Sequence, residues 1–198
     1  MKLLLLSGGL DSACLFWYLL SQGEQFRCMW IDYGQRNAGQ ELAAATRLCS
    51  ANRISLAQVD AKYIFDGIQS SILTSSKHTV ASAELQNRNA VLISIAAAHC
   101  TERTTIVVAA HRTSAPYADC TPQFYTRMSK AISYSTDGKV DVEAPFIRLT
   151  KYMVLCKGWD AGMSKEEIEA TVSCYNGNNC GKCPACISRR EILKKLFY

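Results

Sequence analysis

Hydrophobic positions along this chain fall into short runs that alternate between strand-like and helix-like periods. Residues 3–6 are leucine throughout and run into Ser7-Gly8-Gly9, which predicts a short buried strand ending in a turn. A helix follows over residues 12–20. Residues 26–33 are aromatic and apolar and stop at Gly34, predicting a second strand. Leu42, Ala45, Leu48 and Cys49 share one face of a helix over residues 41–50. Further strands are predicted at 54–59, 104–110 and, more weakly, 141–147. Further helices are predicted at 89–100, 122–134, 151–159, 164–172 and 188–197. Pro122 suits a first helical turn, and Ser164 with Glu167 has capping-box spacing. Residues 89–100 are apolar nearly all round, so that helix is expected to be buried and His99 to be a core histidine. Residues 60–85 are serine-rich and lack a period. They read as a long, partly mobile excursion over the active face, and 111–121 read as a loop.

Strand alternating with helix predicts an α/β fold, a doubly wound parallel sheet covered on both faces. Residues 1–160 are expected to form one nucleotide-binding α/β domain, and residues 161–198 a C-terminal helical segment with a cysteine knuckle. The composition agrees: 198 residues, 48% hydrophobic and 20% charged, support one ordinary core and exclude a disordered or collagen-like chain. The longest apolar runs are too short for a bilayer, and Met1-Lys2 before four leucines is no signal peptide. A cytoplasmic protein is therefore expected. The net charge of +5 is spread along the chain. It suits an anionic small ligand such as a nucleotide and gives no reason to expect direct nucleic-acid binding.

Ser7-Gly8-Gly9-Leu10-Asp11-Ser12 joins the first strand to the first helix. Two glycines let backbone approach an anion, and a new helix offers unpaired N–H groups and the positive end of its dipole. Ser7 and Ser12 add hydroxyl donors. Asp11 would repel phosphate unless a divalent cation lay between, which marks it as a Mg²⁺ partner. The loop lacks Gly-Lys-[Ser/Thr] and Gly-x-Gly-x-x-Gly, so it is neither a P-loop nor a dinucleotide fingerprint. Ile31-Asp32-Tyr33-Gly34-Gln35-Arg36 closes the second strand and should lie beside it, since neighbouring strand ends in a doubly wound sheet share one crevice. Arg36 offers a planar fork for phosphate or carboxylate. Arg88, at the mouth of the third helix, is a candidate for phosphate or a substrate carboxylate, and His111 a candidate to line the crevice.

Ten cysteines are present, and four of them, Cys174, Cys180, Cys183 and Cys186, lie within thirteen residues. Such clustering points to a metal site in a reducing compartment. Four thiolates make a closed tetrahedral Zn²⁺ site with no position left for catalytic water. The C-x2-C-x2-C run also has ferredoxin-like spacing, so an iron–sulfur cluster stays open on spacing alone. Gly177 and Gly181 are placed to make the turns.

The loop at residues 7–12 resembles the PP-loop of the ATP pyrophosphatase superfamily. Asp32-Tyr33-Gly34-Gln35-Arg36 after it resembles the 7-cyano-7-deazaguanine (preQ0) synthase family of queuosine biosynthesis. So do Asn87-Arg88-Asn89, Tyr117-Ala118-Asp119-Cys120 with Phe124, and the cysteine cluster after Cys174-Tyr175-Asn176-Gly177. The resemblance implies an ATP-dependent carbon–nitrogen ligase acting on 7-carboxy-7-deazaguanine and ammonia, through an acyl-adenylate and an amide to the nitrile, with AMP and pyrophosphate released. It implies ATP contacts from Ser7, Gly8, Gly9, Leu10, Asp11, Ser12, Asp32, Arg36 and Lys151, with Ser7, Asp11, Ser12 and Lys151 catalytic. Tyr33, Gln35, Arg88, Asn89, Tyr117 and Asp119 would hold the substrate, with Asp119 meeting the guanine-like edge. Zinc would be structural, Mg²⁺ would accompany ATP, ammonia would come free in the absence of a recognisable glutaminase segment, and a homodimer is expected. The chain departs from the family pattern at Gln86-Asn87, which replaces Pro-Gly, at Ala118, which replaces proline, and at 112–116, which is a residue short. The first two cysteines are also closer than is common. A paralogue that stops at the amide, or couples the activated acid to another amine in a phage or defence system, is the alternative. A non-catalytic nucleotide sensor and a tRNA-modifying PP-loop enzyme fit the residues less well.

Overall fold

A computed structural model describes residues 1–73, 85–112, 117–176 and 179–197. In chain order the elements are β1 (Lys2–Leu5), α1 (Leu10–Ser21), β2 (Phe26–Asp32), α2 (Ala38–Ala51), β3 (Leu56–Asp60), α3 (Arg88–Ala98), β4 (Thr104–Val107), α4 (Pro122–Ser135), β5 (Val140–Glu143), α5 (Lys151–Asp160), α6 (Lys165–Ala170) and α7 (Pro184–Phe197). The five strands form one parallel sheet in the order β3-β2-β1-β4-β5. The chain winds outward one way from β1 and then the other, so β1 and β4 are neighbours at the switch point, with Leu3 opposite Ile106. Such a point leaves a crevice at the strand ends.

Strand alternation sorts the core. Leu4, Cys28, Trp30 and Val107 face one layer, where they pack with Leu15 and Phe16 of α1, Ala45 of α2, Leu155 of α5 and Ile192 of α7. Leu3, Met29, Ile31, Ile106, Val140 and Val142 face the other, against Ile93 and Ala96 of α3 and Tyr125 and Ile132 of α4. Both faces are covered, which is why the central strands read as continuous apolar runs. Burying one such leucine or phenylalanine contributes about 1.5–3 kcal/mol. Helices α1 and α5 meet at Gly158, where a Cβ would stand 2.7 Å from Cys14 Sγ. Met163, Ile168 and Ile192 belong to the same buried cluster as Leu4 and Phe16, so the C-terminal segment shares the sheet's core.

Predicted and observed elements differ mainly at their ends. β4 stops at Val107 and β5 at Glu143, short of the apolar runs that suggest them. Val108 N–H still donates to Glu143 O at 2.9 Å, and Val108, Ala109, Ala110 and His111 then form crevice wall, so they stay covered without being strand. Helix α6 ends at Ala170, and its capping box is present in full: Ser164 Oγ accepts from Glu167 N–H, and Glu167 Oε2 accepts from Ser164 N–H. Helix α3 is not buried all round. Only Ile93, Ala96 and Ala97 are fully covered, because one side alone meets the sheet. His99 is a correction too: it caps the exposed C-terminal end of α3 through its backbone N–H to Ala96. Helix α7 begins at Pro184, inside the cysteine cluster, rather than at 188. In the 60–85 excursion the described part packs Phe65, Ile72 and Leu85 against Tyr33 and Tyr175; residues 74–84 lie outside the described residues, as do 113–116 of the stretch at 112–116.

Candidate functional site

A crevice of about 520 Å³ opens at the carboxyl ends of β1, β2 and β4. Its floor is the loop at residues 7–12. Gly9 precedes α1 and offers no side-chain cap, so the first-turn N–H groups of α1 have no side-chain acceptor at their head. Ser7 Oγ lies 3.1 Å from Ser12 Oγ, and Gly9 N–H donates to Ser7 Oγ at 3.3 Å, which gathers two hydroxyls at the helix mouth. Gly8 has φ +76°, and a Cβ there would stand 2.3 Å from the backbone oxygen of Glu41. Only glycine fits, because α2 presses its backbone directly on the loop. On the loop's other side Val172 N–H donates to Gly8 O at 3.0 Å.

Asp11 is the charged centre of this end. Lys151 Nζ is 3.1 Å and His111 Nε2 3.4 Å from Asp11 Oδ2. Burial works against the carboxylate, but the Lys151 ammonium and the His111 hydrogen bond outweigh it and bring the group down to about 2. Asp11 Oδ1 is buried and accepts no hydrogen bond, an acceptor that a cation would satisfy.

The opposite end is built by the turn after β2 and the mouth of α3. Asp32 Oδ1 accepts from Gly34 N–H at 3.0 Å. Gln35 Oε1 accepts from Tyr33 N–H at 2.9 Å, while Gln35 Nε2 donates to Ile31 O at 3.3 Å and to Glu41 Oε2 at 3.0 Å. Asn37 Nδ2 donates to Glu41 Oε1 at 3.0 Å. Burial raises the Glu41 carboxyl to about 7 in spite of these two donors. Burial likewise pushes the Tyr33 hydroxyl up to about 12. Arg88 lies between Tyr33 and Asp119; burial opposes its charge, and Tyr33 and Asp119 more than restore it. Asp119 Oδ2 accepts from Asn89 N–H at 2.9 Å, and Asn89 Nδ2 donates to Asp119 O at 3.1 Å. A 3₁₀ turn at Ala118–Cys120 thus closes the head of α3.

The knuckle lies close by. The Sγ atoms of Cys174, Cys180, Cys183 and Cys186 all lie within 4.8 Å of one another. Backbone N–H groups of Asn176 and Cys180 point at Cys174 Sγ, and that of Cys183 at Cys180 Sγ, each at 3.4 Å. Such donors favour thiolate, and the N–H groups of Lys182 and Cys183 bring Cys180 down to about 6. Four convergent sulfurs with amide donors behind them can hold a metal ion. Gly181 takes φ +71°; Gly177 is outside the described residues.

The profile of the family described as "Queuosine biosynthesis protein QueC" matches residues 1–197. This chain belongs to the QueC family. It is 31% identical over 220 residues to the 7-cyano-7-deazaguanine synthase of Aquifex aeolicus, covering 98% of this chain and 97% of that one. Against the protein of the same name from Desulfotalea psychrophila it is 29% identical over 208 residues, 98% and 93% of the two chains. The solved structure of NMN synthetase from Francisella tularensis superposes with a TM-score of 0.56 at 16% identity, covering 98% of this chain and 76% of that one, which shows a shared fold.

In this QueC chain the fold brings Ser7, Gly9, Leu10, Asp11, Ser12 and Lys151 to one end of the crevice and Tyr33, Gln35, Arg88, Asn89, Tyr117 and Asp119 to the other. Gly8 lies buried beneath the loop. Asp32 and Arg36 do not line the crevice. Asp32 shapes the Tyr33-Gly34 turn and lies 3.7 Å from Lys62, and Arg36 Nη1 donates to Asn176 Oδ1 at 2.7 Å, so both act in holding the wall together. Sequence reasoning missed Glu41, which looks like an ordinary acidic residue in the first turn of α2, where it would complement the helix dipole. It also missed Arg189. From α7 that side chain donates to Thr171 Oγ1, to Ser173 Oγ and to Ile168 O, and so ties the knuckle helix to the 171–173 strap beside Gly8. No spacing rule reveals either contact, since both depend on segments far apart in sequence.

Proposed function

We propose that this protein is an ATP-dependent carbon–nitrogen ligase that converts 7-carboxy-7-deazaguanine and ammonia to 7-cyano-7-deazaguanine. The observation that supports it is one crevice with an anion-binding loop and Lys151 at one end and an arginine among aromatic side chains at the other, in a chain of the QueC family. The substrate carboxylate attacks the α-phosphate of ATP, an oxygen–phosphorus bond forms, and pyrophosphate leaves. Ammonia displaces AMP from the acyl-adenylate to give the amide. The amide oxygen attacks the α-phosphate of a second ATP, pyrophosphate leaves, and loss of AMP and both N–H protons gives the nitrile.

The chain's part is positioning and charge neutralisation. The first-turn N–H groups of α1 and the Ser7 and Ser12 hydroxyls receive the β- and γ-phosphates. Lys151 meets the charge that builds on leaving pyrophosphate, and Asp11 keeps it in place. Asp11 is the residue that would hold Mg²⁺, with Oδ1 as its ligand atom; bound there, the ion would offset charge on the departing phosphates. Arg88 pairs with the substrate carboxylate, and Tyr33 and Tyr117 flank the base. Asp32 and Arg36 support ATP binding through the wall they build. The cysteine set suits structural zinc, with no open position for chemistry. The protein works in the cytoplasm on free ammonia, as a homodimer. Among the described residues no helix is long and apolar enough to cross a membrane.

The test is to incubate purified protein with Mg-ATP, ammonia and 7-carboxy-7-deazaguanine and to follow nucleotides and products by mass spectrometry. Nitrile with AMP is the expected outcome. Absence of AMP with this acid would overturn the proposal.

A further inference from the structure

Two carboxylates border the substrate end of the crevice, and their surroundings differ. Asp119 is committed to structure. Its Oδ2 accepts the N–H of Asn89, its backbone oxygen accepts the Asn89 amide, and its Oδ1 faces Cys120 Sγ at 3.6 Å. It caps the mouth of α3. Glu41 is held differently. Two neutral side-chain amides, Gln35 and Asn37, each donate one hydrogen bond, one to each carboxylate oxygen. A carboxylate has roughly four acceptor positions, so each oxygen keeps one in hand. No lysine or arginine lies within ion-pair distance of Glu41 among the described residues.

Beyond the Gln35 and Asn37 amides, apolar side chains share the crevice lining with Glu41. Tyr33, Ile72, Leu85 and Tyr175 share the crevice lining with it, and Phe65 backs Tyr33 edge-on at 6.0 Å. A slot of aromatic and aliphatic side chains with one carboxylate at its edge takes a planar heterocycle that presents two adjacent N–H donors. A guanine-like ring has such an edge in its N1–H and 2-amino groups. Two parallel N–H···O bonds to one carboxylate are directional and charge-assisted, so they orient the ring as well as bind it.

We propose that Glu41, rather than Asp119, reads the N1–H and 2-amino edge of the deazaguanine substrate; this deepens the synthase reading and rests on it. Gln35 and Asn37 are the positioning residues that aim the carboxylate. The groups facing Glu41 are Arg88, which favours its charge, Asp32, which opposes it, and Tyr33. Burial holds the carboxyl at about 7 against the two amide donors already present, and further donors on the substrate edge favour its ionised form.

The experiment compares 7-carboxy-7-deazaguanine with the analogue carrying hydrogen in place of the 2-amino group, by kcat/KM in wild type, Glu41→Gln and Asp119→Asn. Wild type is expected to prefer the natural acid by about a hundredfold, because the analogue leaves a buried acceptor unmet. Glu41→Gln is expected to shrink that preference to about threefold or less and to raise KM, since its amide offers only one acceptor atom. Asp119→Asn is expected to keep the preference. Should a variant lose turnover, equilibrium binding of the two acids without ATP reads the same ratio. An unchanged ratio in Glu41→Gln, or a collapsed one in Asp119→Asn alone, overturns the inference while wild-type turnover leaves the synthase reading intact. Failure of wild type to release AMP with either acid overturns both.

Discussion

Lys151 Nζ and Asp11 Oδ2 are 140 positions apart in the chain and 3.1 Å apart in space. The pair joins the first residue of α5 to the first turn of α1, at the floor of the crevice. Lys151→Met removes the cation that offsets burial of Asp11 and, in the proposed reaction, the charge that meets leaving pyrophosphate. AMP formation is expected to fall by about 10²–10³, with folding retained by circular dichroism. Lys151→Arg is expected to recover only part of that rate, because a planar fork does not reproduce a point charge. A variant within threefold of wild type would remove Lys151 from the chemistry.

Metal removal tests the knuckle. Ligand binding in such a site is folding free energy. Chelation, or Cys180→Ser, is expected to lower the melting temperature and to release one zinc per chain, read by metal analysis and calorimetry. Arg189→Ala separates the knuckle from the loop it supports. It is expected to keep the metal yet raise the KM for ATP by about three- to tenfold, the range for losing a net hydrogen bond or two. The strap it holds donates Val172 N–H to Gly8. An unchanged KM would show that the strap does not position the phosphate loop.

Asn87, at the N-cap of α3, has φ +61°. Asparagine tolerates this left-handed conformation better than other side chains with a Cβ. Asn87→Gly is expected to change stability by less than about 0.5 kcal/mol, whereas Asn87→Ala is expected to cost about 1–2 kcal/mol by denaturant unfolding. Equal effects of the two would mean that strain at residue 87 is not what selects asparagine.

The pH dependence of stability follows from Glu41. Its carboxyl is raised from 4.5 to about 7, so the folded chain prefers it protonated. That contribution is complete below pH 4.5 and is lost as pH rises through about 7. Glu41→Gln abolishes the ionisation. Relative to wild type it is expected to stabilise the unliganded protein at pH 8 by about 1–2 kcal/mol, discounting for partial solvent access. At pH 4, below the unfolded value of 4.5, the difference is expected to vanish. Melting curves at the two pH values decide it: a gain that is the same at both would mean that charge is not its source.

Much of this architecture is legible without coordinates. Apolar runs of four to seven residues bounded by glycine, set between helical periods, lead to a parallel sheet, and the winding follows. The Ser7–Ser12 loop and the cysteine spacing are equally direct, because their residues are neighbours in sequence and the backbone itself makes the site. Pro122 and the Ser164–Glu167 box announce helix starts for the same local reason.

What tertiary structure alone decides is which of these residues meet. Asp32 and Arg36 belong to the same turn as Tyr33 and Gln35, yet the turn sends the first pair into the wall and the second into the crevice. Asp119 accepts the Asn89 N–H at the head of α3, and Glu41, which in sequence is one more acid in a helix's first turn, lines the same crevice. Local pattern fixes periodicity and cap chemistry because both act over three or four residues. Pairings such as Lys151 with Asp11, or Arg189 with Thr171, depend on how packed layers bring distant segments together, and that is set by burial of the two sheet faces as a whole.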